Sequence, residues 1–593
     1  MNRSPTTTIA AVFAVVLSIA LATLAMINTE ILAQFFTHSF LADHAGVDIR
    51  PVTRQGAEWF RIMCALSAFA WLSIPLMLLR IEAKTGHDPR SHVDAALDFV
   101  KRSALTNRLR FALFCALSVG LIERIWRISE SLWFDEISAM IDYAQYGPGP
   151  ILGSYFVPSN HVLHTLLSWC AISMANGASE PVLRMPAFIA GIASIGAITA
   201  LARESALWQG VPTRARMSIA CGIAALAPIM VLESVEARGY SMMILFSALA
   251  SWQFLRSLRT GRLLGWIAYA ILCALGVWSH LVFVVLPVSH GLIAAWLAIR
   301  PRQGSDDRAN GKSALLALAL AAITSITLLA PLLPDLLLIR REFQALDGNE
   351  PSIFSTEGIH VLLGLGGAWT ALAALPGIGL LIIGVLAARR DLTRRMPLAA
   401  TLLGLPILVL GTEFAGSWMY ARFALFALPG IFLAMTLGAF DVARFLRAHD
   451  SNMGRVNSTL ILGVLAVAAL WTESLASLPS KQPIRDAVFF IQGQDPTVAT
   501  FASAGLADNV VAYYGILAGL KIESAGAGGS AIGEIPSDVE WMVVIYPRSL
   551  CAAGARALTE HWHLVETFPG WVDWNNGDVL VYRRNTAANH SKE

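Results

Sequence analysis

Two carboxylates stand side by side in the stretch SLWFDEISAMIDYA, residues 131–144: Asp135 and Glu136. A carboxylate can take a proton from a hydroxyl or hold a cation, and charged groups near hydrocarbon are costly enough to be usually functional. The stretch has helical periodicity. Phe134, Ile137, Ile141 and Ala144 make an apolar stripe, and Asp135, Ser138, Asp142 and Gln145 a mostly polar one. This predicts a helix lying in a membrane surface, with Trp133 at headgroup depth. Successive side chains leave a helix about 100° apart, so Glu136 cannot share a base role from the same face as Asp135. It is expected to orient a cation or an arginine instead. A plainer account also exists: acids in a first turn are stabilised by the helix dipole, with Ser131 available as N-cap.

The elements that must position these acids are hydrophobic. The chain has 593 residues, 56% hydrophobic and 14% charged, with a mean hydropathy of +0.60. A soluble protein would carry about a quarter charged residues. Apolar segments fall near 8–26, 59–79, 111–127, 182–201, 217–233, 240–256, 263–279, 281–299, 313–333, 361–388, 396–412, 422–440 and 457–475. Each is long enough to cross a bilayer. The expected fold is a polytopic α-helical membrane protein of about 13 spans. The first segment is longer than the apolar core of a usual signal peptide and ends without a clean cleavage site, so a retained helix is expected. The net charge of +2 carries no footprint of nucleic-acid binding. Five of the six cysteines lie in apolar segments, Cys551 being the exception, and no disulfide framework is readable.

With the amino terminus in the cytoplasm, the loops counted as inside are the basic ones: 80–110, 203–216, RSLRTGR, RPRQGSDDRANGK, RRDLTRR and ARFLRAHDSNMGR. Insertion retains Lys and Arg inside, so this asymmetry sets the orientation. The parity holds only if the apolar segment 161–177 does not cross, and it is read as a re-entrant or surface helix on the outer side. Asp135 and Glu136 then lie outside. Beyond about residue 476 short runs appear, with DNVVAYYGI, EWMVVIYP and DVLVYRR expected as strands, and RDAVFFIQGQ and SLCAAGARALTEHW as helices. They imply a small soluble α/β domain on the outer side.

Short polar motifs follow the acids in order: Asn160-His161, then Ser179-Glu180 with Arg184 and Pro186, Arg238 with Tyr240, Ser279-His280, and Arg422 with Pro429. Together they resemble the GT-C glycosyltransferases, in particular the bacterial branch of the protein O-mannosyltransferase family. That branch includes the lipid A aminoarabinose transferases and the rhizobial lipopolysaccharide galacturonosyltransferases. The resemblance covers about residues 111–440, with a weaker likeness in the tail. It departs from the family where Val162 and Leu163 replace a double proline, and where Phe423 stands in place of a frequent Tyr.

The resemblance implies three regions: 1–110, two extra membrane helices and a basic cytoplasmic loop; 111–475, the membrane core with periplasmic juxtamembrane helices; and 476–593, a periplasmic α/β domain. It implies a multi-pass enzyme of the bacterial inner membrane that moves a sugar from a polyprenyl-phosphate donor to a hydroxyl of a glycan, lipid or protein acceptor, with inversion. Asp135 is the expected general base, and Glu136 is grouped with it as a catalytic residue. Arg238, Tyr240, Arg422, His161 and His280 are expected at the donor phosphate, where cations offset the charge of a leaving group. Asn160 and Arg184 are expected at the substrate. The two histidines invite a divalent metal cation, but Asn160 stands where an acidic ligand would help most. Rival readings are a polyprenyl-linked sugar flippase or exporter, and a catalytically degenerate envelope-assembly subunit. The map makes a direct prediction: a reporter fused after residue 590 should be active outside the cytoplasm, and activity only inside would overturn it.

Overall fold

The computed structural model describes residues 5–85, 107–211, 213–301, 306–343, 370–389, 391–415, 420–449, 470–471, 475–476, 478–505, 508–572 and 576–585. Helices dominate, and among the described residues seven are long and apolar enough to cross a membrane. The bent pair Thr213–Leu226 and Pro228–Ser234 makes an eighth, and Val162–Ala175, Leu263–Ser279 and Leu375–Ala388 are shorter apolar helices. Asn107–Arg127 and Tyr240–Thr260 are further long helices, and Arg124 and Arg127 of the first are buried. The described part of every apolar segment expected from the sequence is helical or nearly so; residues 361–369 of the segment 361–388, and almost all of 457–475, lie outside the described residues. The helix Val162–Ala175 has 14 residues, too few to cross about 30 Å of hydrocarbon.

Polar contacts mark the two ends of the bundle. At one end Arg259 pairs with Glu204 at 2.7 Å, Arg394 with Asp441 at 2.6 Å, and Asn310 Nδ2 donates to the Leu258 carbonyl. At the other, Arg50 pairs with Asp335 at 3.0 Å, and Arg127 donates to the carbonyl of Leu475. The acid helix, Phe134–Asp142, lies at this second end. The region ahead of residue 111 packs against the rest of the bundle. Ser67 Oγ meets Thr327 Oγ1 at 2.7 Å, and His38 Nε2 lies 2.7 Å from the Asp142 carbonyl, with a hydrogen bond between them.

One break shapes the site. Pro228 cannot continue the hydrogen-bond ladder of the helix before it, and the two halves meet at 59°. The buried guanidinium of Arg124 donates to the carbonyls of Ala225 (3.0 Å) and Gly120 (2.6 Å) and to Ser234 Oγ (3.2 Å). Backbone groups freed at membrane depth must find such partners. Gly120 permits the approach, since a Cβ there would fall 2.2 Å from the Ala225 oxygen.

The carboxyl-terminal domain carries a five-stranded sheet in the order β2-β1-β3-β5-β4, with β1 Thr500–Gly505, β2 Lys521–Ala527, β3 Trp541–Ile545, β4 Trp562–Phe568 and β5 Val579–Arg584. β1 pairs in parallel with β2 and β3, while β5 is antiparallel to β3 and β4. The expected strands around Trp541 and Val579 form, and so do the expected helices, now Ile484–Gln494 and Ala552–His561. DNVVAYYGI is instead a helix, Asp508–Leu517. A parallel β1–β2 pair needs a crossover, and Val510, Val511 and Tyr514 give that helix its buried face.

Replacing Gly120 with leucine should drive the Asn107–Arg127 helix off its neighbour. Overpacking costs about 1–3 kcal/mol, so unfolding of the purified protein in detergent should shift to lower temperature. Gly196→Leu, at a position with nothing within 4 Å of an added Cβ, should shift it far less. Equal shifts would contradict the packing described.

Candidate active site

The acid helix is capped by its own second acid. Trp133 is the N-cap, and Glu136 turns back to accept the Trp133 N–H at 3.1 Å, half of a capping box. Ser131 is not the cap. Its hydroxyl donates to the Leu132 carbonyl and accepts the N–H of Arg485. Trp133 does not face outward either. It is buried, because the carboxyl-terminal domain covers this helix: Leu132, Trp133 and Ile137 share one core with Ile484, Val488, Tyr514 and Tyr546.

Glu136 is buried and fully engaged. Oε1 accepts from Arg184 Nε at 2.8 Å and from the Ala237 N–H at 2.5 Å, and Oε2 accepts from Arg184 Nη2 at 2.7 Å. The remaining N–H groups of Arg184 reach the carbonyls of Ile128, Glu130 and Ser131 at 3.2, 2.7 and 3.0 Å. Glu136 thus orients an arginine, as its direction on the helix implies, and Arg184 is turned into the protein instead of toward a substrate. Glu180 takes other partners, Arg485 Nη1 at 3.0 Å and the Tyr514 hydroxyl at 3.1 Å.

Asp135 points the other way. Its Oδ2 lies 3.2 Å from Arg238 Nη2, and its side chain keeps 25% exposure against 6% for the arginine. Arg238 Nη1 donates to the Ser159 carbonyl at 3.3 Å, while its Nε meets no partner among the described residues. The guanidinium carbons of Arg238 and Arg422 lie 5.9 and 5.7 Å from the centroid of the Tyr240 ring. Arg422 also lies 5.1 Å from the Trp133 ring. Two guanidinium groups, an aromatic ring and one partly exposed carboxylate therefore converge.

His161 and His280 stand against the same tyrosine, with ring centroids 5.2 and 5.0 Å away and 4.8 Å from each other. Burial, reinforced by Arg238, holds the His161 imidazole well below its ordinary range and lowers that of His280 to about 3. Burial thus favours the neutral form of both rings, against the cationic role expected from the sequence. Gly239 lets the loop reach them, since a Cβ there would fall 2.3 Å from the Ser279 oxygen and 2.6 Å from His161 Nδ1. Asn160 is buried and donates to the carbonyls of Ile151 and Ser154, which fastens its own loop. Phe423 packs on His280 at 5.6 Å. Among the described residues, no group of three or more His, Cys, Asp or Glu side chains comes together to hold a metal ion.

Three residues that sequence reasoning passed over belong here. Lys481 Nζ pairs with Glu236 Oε1 at 2.6 Å and lies 3.9 Å from the centroid of Trp133. Glu233 is buried three residues before Glu236. The string LESVEARGYS carried a signal for the two glutamates, because acids beside a membrane arginine need partners. No local pattern marked Lys481.

No protein-family model matches the chain, and no curated protein matches it. Among solved structures, the archaeal oligosaccharyltransferase AglB from Archaeoglobus fulgidus, in complex with an inhibitory peptide and a dolichol-phosphate, is similar at 15% identity with a TM-score of 0.47. That match covers 74% of this chain and 69% of the other. ArnT from Cupriavidus metallidurans in the apo state is similar at 13% identity and TM-score 0.47, over 80% of this chain and 98% of its own. The same protein bound to undecaprenyl phosphate gives 14% identity and TM-score 0.46, over 82% and 99%.

The buried Glu136–Arg184 pair makes a stability prediction. Removing one partner of a buried ion pair costs about 3–5 kcal/mol, because the other charge is left uncompensated. Glu136→Gln should therefore lower the unfolding temperature strongly, and combining it with Arg184→Met should recover part of the loss. An unchanged unfolding temperature in Glu136→Gln would contradict the role given to this carboxylate.

Proposed function

We propose that this chain is an inverting membrane glycosyltransferase of the GT-C type. It would move a sugar from a polyprenyl-phosphate donor to a hydroxyl of an envelope glycan, glycolipid or protein. The observation that carries the reading is the Asp135–Arg238 pair: a partly exposed carboxylate 3.2 Å from a buried guanidinium, with Arg422 across the same Tyr240 ring. The order of motifs that resembles the family supports it as well.

In this reading the acceptor hydroxyl approaches Asp135 and loses its proton to the carboxylate as its oxygen bonds to the anomeric carbon. The bond from that carbon to the phosphate oxygen breaks, and its electron pair leaves with the lipid phosphate. A positioned base contributes about 10²- to 10⁴-fold. Arg238 and Arg422 meet the charge that grows on the phosphate, in a site where fixed cations act at low dielectric. The planar fork of arginine suits two phosphate oxygens. Glu136 and Arg184 position the helix and take no part in the bond changes, while Tyr240, His161 and His280 form a neutral wall behind the two arginines. The basic loops support a multi-pass inner-membrane protein with its amino terminus in the cytoplasm and its site and carboxyl-terminal domain in the periplasm.

Asp135→Asn keeps size and fold but removes the proton acceptor. Transfer should fall about 10²-fold or more, with donor affinity retained. Arg238→Ala should weaken donor binding about 10- to 150-fold, the equivalent of a lost hydrogen bond to a charged group, and lysine should restore only part. Near wild-type transfer by a well-folded Asp135→Asn protein would refute the mechanism. Wild-type donor affinity in Arg238→Ala would refute the phosphate assignment.

A further inference from the structure

The arginine that faces Asp135 sits on a short loop, residues 235–239, between the helices Pro228–Ser234 and Tyr240–Thr260. Three consecutive residues of this loop are held by three different partners. Glu236 is held by Lys481 at 2.6 Å, the Ala237 N–H by Glu136 at 2.5 Å, and the Arg238 side chain by Asp135 at 3.2 Å. A 2.7 Å bond from the Arg238 N–H to the Glu236 carbonyl closes the loop on itself. Whatever moves Glu236 therefore moves Arg238.

Lys481 comes from far along the chain, and the carboxyl-terminal domain fixes it. Its carbonyl accepts the Val572 N–H at 3.1 Å. Gly570 and Gly577 close on the same carbonyl so tightly that a Cβ would lie 2.8 and 2.6 Å from its oxygen. The side chain is confined between the rings of Trp133 and Trp571, at 3.9 and 5.3 Å from their centroids. The next residue completes the arrangement, because Gln482 Oε1 accepts the Phe134 N–H at 2.9 Å. One residue of the dipeptide thus grips the loop of Arg238, and the other grips the helix of Asp135.

We propose that Lys481 and Gln482 are positioning residues that set the spacing between Asp135 and Arg238, so that the carboxyl-terminal domain is a working part of the active site. This inference rests on the function proposed above. A shift of about 1 Å in reacting groups can cost about 10²-fold in rate, so a device outside the membrane helices that fixes this spacing governs turnover without touching substrate.

The test uses the full chain. Lys481→Met should lower the turnover number about 10²-fold while the affinity for a polyprenyl phosphate stays near wild type, and Lys481→Arg should recover most of the turnover. Because Lys481 acts through Arg238, adding Lys481→Met to Arg238→Ala should cost little more than Arg238→Ala alone. Amide hydrogen exchange of residues 235–239 should speed up in Lys481→Met and stay protected in Lys481→Arg. Wild-type turnover in Lys481→Met, or losses that multiply in full with Arg238→Ala, would overturn the proposal. If the wild-type chain transfers no sugar, the proposed function fails on its own. The exchange measurement still judges the clamp, and unchanged exchange in Lys481→Met overturns it.

Discussion

The carboxylate of Glu136 is the constraint on which the rest of the site depends. Its two oxygens receive the guanidinium of Arg184, the N–H of Ala237 and the N–H of Trp133. Those partners belong to three separate stretches of chain: the start of the Glu180–Trp208 helix, the loop of Arg238, and the start of the acid helix itself. A charge so far from water is tolerated only when paired and hydrogen-bonded in full. Once satisfied, it fixes the relative placement of everything it touches. Asp135, one residue away and turned about 100° around the helix, inherits a rigid mounting while keeping access to solvent.

The same logic runs outward. Arg124 binds the Ala225 carbonyl where Pro228 breaks a membrane helix, and the second half of that helix leads to Glu233, Glu236 and Arg238. Arg485, Glu180 and Tyr514 carry the pattern into the carboxyl-terminal domain, where the Tyr514 hydroxyl also accepts the Leu132 N–H at 2.8 Å. A charge with fixed partners costs no reorganisation when reaction begins. The geometry therefore divides the ionisable residues into two sets. Glu136, Arg184 and Arg124 are locked into structure, while Asp135, Arg238 and Arg422 surround the Tyr240 ring, where the proposed function puts the chemistry.

What could be read in the chain beforehand follows from how local each signal is. The apolar helices were legible, because length and hydropathy are properties of a single stretch, although seven or eight rather than about 13 of them are long and apolar enough to cross a membrane among the described residues. So was the divergence of Asp135 and Glu136, because neighbouring positions on a helix must point apart. The burial of Trp133 was not, since its cover comes from residues some 350 positions later, as the Phe134–Gln482 bond illustrates. DNVVAYYGI suits a strand or a helix by its apolar run alone, and the parallel pairing of β1 with β2 decides it. The burial of the two histidines was not legible either. Lys481 was invisible for the same reason as Trp133: its partner Glu236 lies 245 residues away.

The account stands on where a lipid phosphate sits. A structure of the full chain with a bound polyprenyl phosphate measures this directly. The account predicts the phosphate within hydrogen-bonding distance of the guanidinium groups of Arg238 and Arg422, with Asp135 facing it across a gap wide enough for an acceptor hydroxyl. A phosphate held instead at the opposite end of the bundle, near Arg259 and Arg394, with the Asp135–Arg238 pair undisturbed, would contradict it.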